Sequence, residues 1–273
     1  MFWFTQGLSF LPLFLVVSSS STFIVCYIIS VFRRDVDVLF PYISDTGANP
    51  PESCIFGLMT VISSCAGIAT IYARYKFVER LNEEPVKVKP HLNTAALWLG
   101  MISCLGMCIV ATFQETEVTS VHDGGALMFF LSGVIYIVLQ TKISYVIYPP
   151  GSSANTFRAR VVITIIAIVA FFPSILKSAI KQRKSLAFIF PASAFYKSLL
   201  SLSENTAIIC ASFVKQTQLH RHKEDKDYPF HVASAVCEWI VAFSFIFFFL
   251  TYLCDFQVSA RSFNPSLFCF FVD

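Results

Sequence analysis

Charge is what this 273-residue chain lacks: only 14% of its residues are Asp, Glu, Lys or Arg, against about 25% in an ordinary soluble domain. The shortage is concentrated. Residues 1–32 carry none of the four, nor do 53–73, 90–114, 124–141 and 161–176, and across 228–254 only Glu238 interrupts the run. A helix at a water-facing surface needs a polar face, and these stretches have none, so a soluble globular domain is excluded. With 56% hydrophobic residues, intrinsic disorder is excluded too.

Other absences narrow the chemistry. There is no Walker loop, no G-x-G-x-x-G, no H-E-x-x-H and no G-x-S-x-G, so the common nucleotide, zinc-protease and serine-hydrolase sites are not indicated. No N-x-S/T acceptor occurs, since Asn264 is followed by Pro265. Five of the nine cysteines (Cys26, Cys65, Cys104, Cys108, Cys237) fall inside or beside apolar runs, where Cys acts as a small hydrophobe, and no disulfide framework follows. His220, His222 and His231 form no convincing metal set. No metal, cofactor or nucleic-acid partner is expected; the expected partner is the lipid bilayer.

What is there fits a membrane. About 20 helical residues cross a hydrocarbon core of roughly 30 Å, and backbone groups in lipid must bond within their own segment. The apolar runs do not alternate as barrel strands would. An all-α polytopic protein follows, a six-helix transmembrane bundle with helices near 10–32, 54–73, 94–113, 123–147, 160–176 and 230–253. The last but one is short, and Arg158 and Arg160 are expected to reach out to the interface. With no charge before Arg33, the first helix reads as retained rather than as a cleaved signal. Small residues (Ser18 to Ser21, Ser63, Gly67, Gly100, Gly125, Gly133) suit close helix contact.

Orientation rests on Lys and Arg in the short loops. The 74–93 loop holds Arg74, Lys76, Arg80, Lys87 and Lys89; the 142–160 loop holds Lys142, Arg158 and Arg160; the 114–123 loop holds none. Both termini are therefore expected in the cytosol. The fifth loop departs from the rule, with Lys177, Lys181, Arg183 and Lys184 on the other side.

Glu238 is the most informative polar residue, placed near mid-membrane where an ionised carboxylate costs a few kcal/mol. His231 and Ser234 precede it by seven and four residues and share its helix face. His122 and Asp123 open the fourth helix before Gly124 and Gly125. This candidate cluster reads either as a buried hydrogen-bond network fixing helix register or as a proton relay, an ion or lipid-headgroup site, or a catalytic acid/base. In the first outer loop, Pro41, Tyr42, Ser44, Asp45, Thr46 and Gly47 precede Pro50 and Pro51. A single Asp-Thr-Gly cannot supply the paired carboxylates of an aspartic protease, so the segment reads as a rigid turn. Tyr75 and Val78 have the spacing of a tyrosine-based sorting signal.

Several stretches carry a resemblance: GLSFLP (7–12), FPYISDTGANPPES-x-IFG (40–57), ATIYARYK (69–76), IVATFQE (109–115), VHDGGAL (121–127) and DYPFHVASAVCEWIVAFSFIFFFLTYL-x-DFQ (227–257). In these the chain resembles the DNA-damage-regulated autophagy modulators, within the wider Frag1/DRAM/Sfk1 and Cwh43-like group. The resemblance implies a six-pass lysosomal membrane protein that promotes autophagy and is linked to p53-dependent cell death. It would act without catalysis, through autophagy or lysosomal membrane proteins not yet identified. It implies no catalytic residues. The alternative is an intramembrane lipid-modifying or lipid- or ion-translocating protein built on the cluster around Glu238. The membrane domain would span 1–257. Residues 177–209 depart from the family as an insertion where it has a short loop, of the kind left by altered splicing, with Leu186 to Phe195 lying at the interface. The tail 258–273 departs as well.

Overall fold

In the computed structural model, residues 7–82, 88–148, 152–189 and 228–262 are described, with side chains through 174 and 257 in the last two segments. Among the described residues there is no strand. Helix α1 runs Phe10–Arg33, α2 Glu52–Leu81, α3 Pro90–Thr112, α4 Thr119–Val146, α5 Ala154–Ile189, α6 Tyr228–Leu250 and a short α7 Tyr252–Ser262. The first six contain segments long and apolar enough to cross a membrane, the fifth over Ala154–Ser174 and the sixth running through α7 to Gln257.

Local chemistry sets the ends. Arg34 closes α1 in the left-handed conformation (φ 61°), its N–H donating back to Ser30 and Val31, a stop normally given to glycine. Pro90 opens α3, where its missing N–H costs nothing. Asn82 clasps the chain between α2 and α3: its amide donates to the Val88 carbonyl (3.0 Å) and its carbonyl accepts from the Val88 N–H (2.9 Å). Two helices outrun the sequence reading. Helix α2 continues past residue 73 to Leu81, because Val78 and Leu81 still pack in the core and charge alone does not end a helix. Helix α5 starts at Ala154 and passes through Pro173; proline removes one backbone bond, and no other breaker follows before Pro191. Residues 186–189 thus continue α5 instead of starting an interfacial helix. The rest of the 177–209 insertion from 190 onward, and the tail from 263, lie outside the described residues.

Each helix packs on its neighbours in sequence, and α6 returns to α1, closing a ring. The contacts rest on small residues, as transmembrane packing requires. Ser18 of α1 meets Ser63 of α2 (2.9 Å), Ser64 donates to the Cys104 carbonyl of α3 (2.9 Å), and Ser103 donates to the Phe129 carbonyl of α4 (2.9 Å). Helices α3 and α4 approach most closely at Gly106 and Gly125: a Cβ on Gly106 would lie 2.5 Å from the Phe129 nitrogen and 2.8 Å from the Gly125 oxygen. Large apolar side chains such as Trp98, Leu105, Val169 and Phe172 point outward, which suits lipid and not water. One end of the bundle, here the terminal end, carries the start of α1, α7 and the α2–α3 and α4–α5 connections. The other, distal end carries the first loop (34–51) and the α3–α4 connection.

Candidate functional site

The distal end gathers most of the polar residues singled out from sequence, and the first loop is what gathers them. Tyr42 is buried, and its ring stands edge-on to the His231 ring of α6, centroids 4.8 Å apart at 77°. The Ser234 hydroxyl lies within hydrogen-bonding reach of the Tyr42 phenol, and the Glu238, Asp45 and Glu115 carboxylates act on it electrostatically. Residues 231, 234 and 238 do share one face, and Tyr42 is the group that face meets. Glu238 therefore acts on a group of the folded first loop. Burial pushes the Tyr42 phenol above its ordinary range; Ser234 opposes this, and the three carboxylates reinforce it.

The neighbouring loop residues are anchored the same way. The Trp239 indole N–H donates to the Pro41 carbonyl (2.8 Å). Ser44 donates to Glu115 in the α3–α4 connection (2.5 Å), and Thr46 to the Ile43 carbonyl (2.6 Å). Asp45, Thr46 and Gly47 form a buried single turn. A Cβ on Gly47 would sit 2.4 Å from the Phe56 ring, so glycine is needed there for close approach. Ser234 also donates to the Ser174 carbonyl of α5 (3.2 Å).

Two other expectations take a different form. His122 is buried at the start of α4 and its Nδ1 is 2.7 Å from the Phe113 carbonyl, so it ties α4 to the end of α3; Asp123 beside it is half-buried. Tyr75 and Val78 lie within α2, and Val78 is fully buried. A linear signal must present both side chains to a soluble reader, and Val78 cannot be presented. His220 and His222 lie outside the described residues.

A cavity of about 60 Å³ lies at the centre of the bundle, among Ser63, Gly67, Ser103, Cys104, Tyr136 and Phe245. None of the distal ionisable groups lines it. The chamber and the distal carboxylates are separate.

The terminal end holds a second cluster that sequence reasoning missed. Arg74 of α2 and Arg160 of α5 are both fully buried, and Asp255 of α7 nearly so. One oxygen, Asp255 Oδ2, accepts from Arg74 Nη1 (2.8 Å) and from Arg160 Nη2 (2.6 Å). Arg74 Nε donates to Gln140 (3.2 Å); Arg160 donates to Ser144 (2.6 Å) and through Nε to Thr251 (2.8 Å). Both guanidinium groups lie about 5 Å from the Tyr252 ring, a cation–π arrangement. The Tyr252 hydroxyl meets Tyr136 of the cavity wall at 2.9 Å. Arg160 thus points into the bundle, not out to the interface as expected: its donors find Ser144, Thr251 and Asp255 inside. A signal was present, since Arg74 and Asp255 both fall in stretches that carry the resemblance (69–76 and 227–257).

The chain matches the Frag1/DRAM/Sfk1/Cwh43P N-terminal domain over residues 7–259. It belongs to that family. It is 41% identical over 254 residues to DNA damage-regulated autophagy modulator protein 1 of Homo sapiens, covering 93% of each chain. It is also 41% identical to DNA damage-regulated autophagy modulator protein 2 of Rattus norvegicus over 258 residues, 94% of this chain and 86% of the relative. A more distant relative, Modulator of macroautophagy TMEM150B of Danio rerio, is 36% identical over 147 residues, 53% of this chain and 60% of its own. No solved structure matches.

Proposed function

We propose that this family member positively modulates autophagy as a multi-pass protein of the lysosomal membrane, without catalysing a reaction, and that it contributes to p53-linked apoptosis. Relatives similar over nearly the whole chain are named as autophagy modulators, which supports the first part. The observation that carries the non-catalytic reading is the engagement of the distal polar groups with one another: Tyr42 with His231 and Ser234, Ser44 with Glu115, Trp239 with Pro41. Catalytic groups face a space where substrate can sit, whereas these fasten a loop to a helix bundle. Modulation then comes from the docked loop surface and the bundle exterior, through contacts with lysosomal or autophagosomal membrane proteins.

The test is a tagged full-length chain in cells, scored for co-localisation with lysosomal membrane and for autophagic flux, beside Glu238→Gln. Wild type should reach the lysosome and raise flux, and Glu238→Gln should lower protein level and flux in proportion. A Glu238→Gln protein that accumulates normally at lysosomes yet has lost all effect on flux would show that the carboxylate acts chemically, against this reading.

A further inference from the structure

The charge balance at the terminal end is uneven. Arg74 and Arg160 bring two positive charges into a fully buried site, and Asp255 brings one negative charge. The hydrogen bonding is uneven as well. Asp255 Oδ2 takes one N–H from each arginine, Gln140, Ser144 and Thr251 take others, and among the described residues Arg74 Nη2 is left with no hydrogen-bond partner. A buried charged donor without an acceptor is costly. The carboxylate belongs to α7, an 11-residue helix that follows a turn at Thr251 and rests against the Gly7–Ser9 turn. It is thus delivered by the short helix that ends the sixth membrane-crossing segment, after the turn at Thr251.

We propose that Arg74 and Arg160 form a binding site for a phosphate monoester, which Asp255 fills from within, and that an anionic lipid headgroup competes with α7 for it. The chemistry favours the exchange. Guanidinium groups are matched to phosphate by planar paired donors. A phosphate monoester carries close to two negative charges and three terminal oxygens. It balances both arginines, which one carboxylate cannot, and offers an acceptor to Arg74 Nη2. Lipid is the natural source. The connections at the same end of the bundle expose Lys89, Lys142 and Arg158, and cations at a membrane surface each draw anionic lipid with about 1 kcal/mol. Displaced α7 opens the way in; Tyr252, at its first residue, holds both guanidinium groups in place until then.

The experiment uses the purified full-length chain in nanodiscs and follows hydrogen–deuterium exchange across 252–262. Four conditions are compared: phosphatidylcholine alone, phosphatidylcholine with phosphatidic acid, phosphatidylcholine with phosphatidylglycerol, and phosphatidylcholine with inorganic phosphate in solution at matched ionic strength. Phosphatidic acid should raise exchange in α7 several-fold while phosphatidylglycerol, a singly charged diester used at the mole fraction that gives the same total surface charge, does not. A rise with inorganic phosphate would assign the site to soluble phosphate as well as lipid, and no rise would assign it to lipid alone. Asp255→Asn should bind phosphatidic acid about tenfold more tightly, equivalent to about 1.4 kcal/mol, because the internal competitor has lost its charge. Unchanged α7 exchange with both phosphatidic acid and phosphate overturns the proposal, as does an equal response to phosphatidylglycerol. The wild-type comparison decides the matter even if Asp255→Asn fails to fold.

Discussion

Trp239 holds Pro41: the indole of the last membrane-crossing helix donates 2.8 Å to a carbonyl of the first loop, across 198 residues of chain. The ring also stacks on Phe243 (5.9 Å, 21°) and stands edge-on to Phe23 and Tyr27. Replacing Trp239 with Phe keeps an aromatic surface and removes the donor, a loss of about 1 kcal/mol. Replacing it with Ala removes both, for about 3–5 kcal/mol. Thermal unfolding in detergent should rank them in that order, with protease cleavage in the first loop rising in parallel.

At the terminal end, Arg160→Ala takes one partner from a buried carboxylate and leaves Ser144 and Thr251 without their donor. Breaking such a pair costs about 3–5 kcal/mol. Arg160→Lys should recover little of it, because one ammonium cannot span the three acceptors that the planar fork reaches. Size-exclusion profiles after a heating step would show both variants losing the monodisperse peak well below wild type.

Two adjacent glycines of α4, Gly125 and Gly124, should respond oppositely to alanine. Gly125→Ala drives a Cβ to 2.5 Å from the Ile109 side chain and close to the Gly106 carbonyl, so the helices must part, at about 1–3 kcal/mol. Gly124→Ala meets nothing within 4 Å and gains helix propensity of about 0.5–1 kcal/mol. Melting temperatures should move down for the first and up for the second.

Tyr42 gives a pH prediction. Its folded phenol ionises above the ordinary value of about 10, so the folded state favours the neutral form. That contribution is complete below pH of about 10 and is lost as pH rises above it. Tyr42→Phe cannot ionise, so its stability should fall less steeply through alkaline pH than wild type's. Parallel melts across that window would measure the difference in slope; equal slopes would contradict the assignment.

Since Val78 is buried and the Tyr75 side chain contacts only neighbours on its own helix, Glu79 (3.4 Å), Tyr72 and Lys76, Tyr75→Ala should leave the destination of the protein unchanged in cells. Val78→Asp should lower its amount at every location. Microscopy with quantitative blotting separates the two outcomes.

The six helices were legible because lipid punishes charge: runs free of Asp, Glu, Lys and Arg can be read without knowing what they touch. The α6 face of His231, Ser234 and Glu238 was legible for a related reason, since helical spacing alone aligns them. That Tyr42 meets this face was not, because loop docking depends on the path between helices and leaves no periodic mark. Arg74 and Arg160 were misplaced for a physical reason. Cations near helix ends usually report which side faces the cytosol, and the same residues satisfy that pattern while turning inward. Only their common partner, Asp255, distant by 181 and 95 residues, distinguishes the two cases. His122 was read as a candidate member of the Glu238 cluster; its Nδ1 lies 2.7 Å from the backbone carbonyl of Phe113, nine residues earlier, a contact that leaves no periodic mark in the sequence.

Asp255 is also the last of these charges to leave the ribosome. Until translation passes it, Arg74 and Arg160 lack the carboxylate that joins them in the folded bundle. A chain that stops early, or that reads into a different final segment before residue 255, keeps that imbalance permanently. Arginines without their shared carboxylate would then be the chemical difference between unfinished molecules and finished ones.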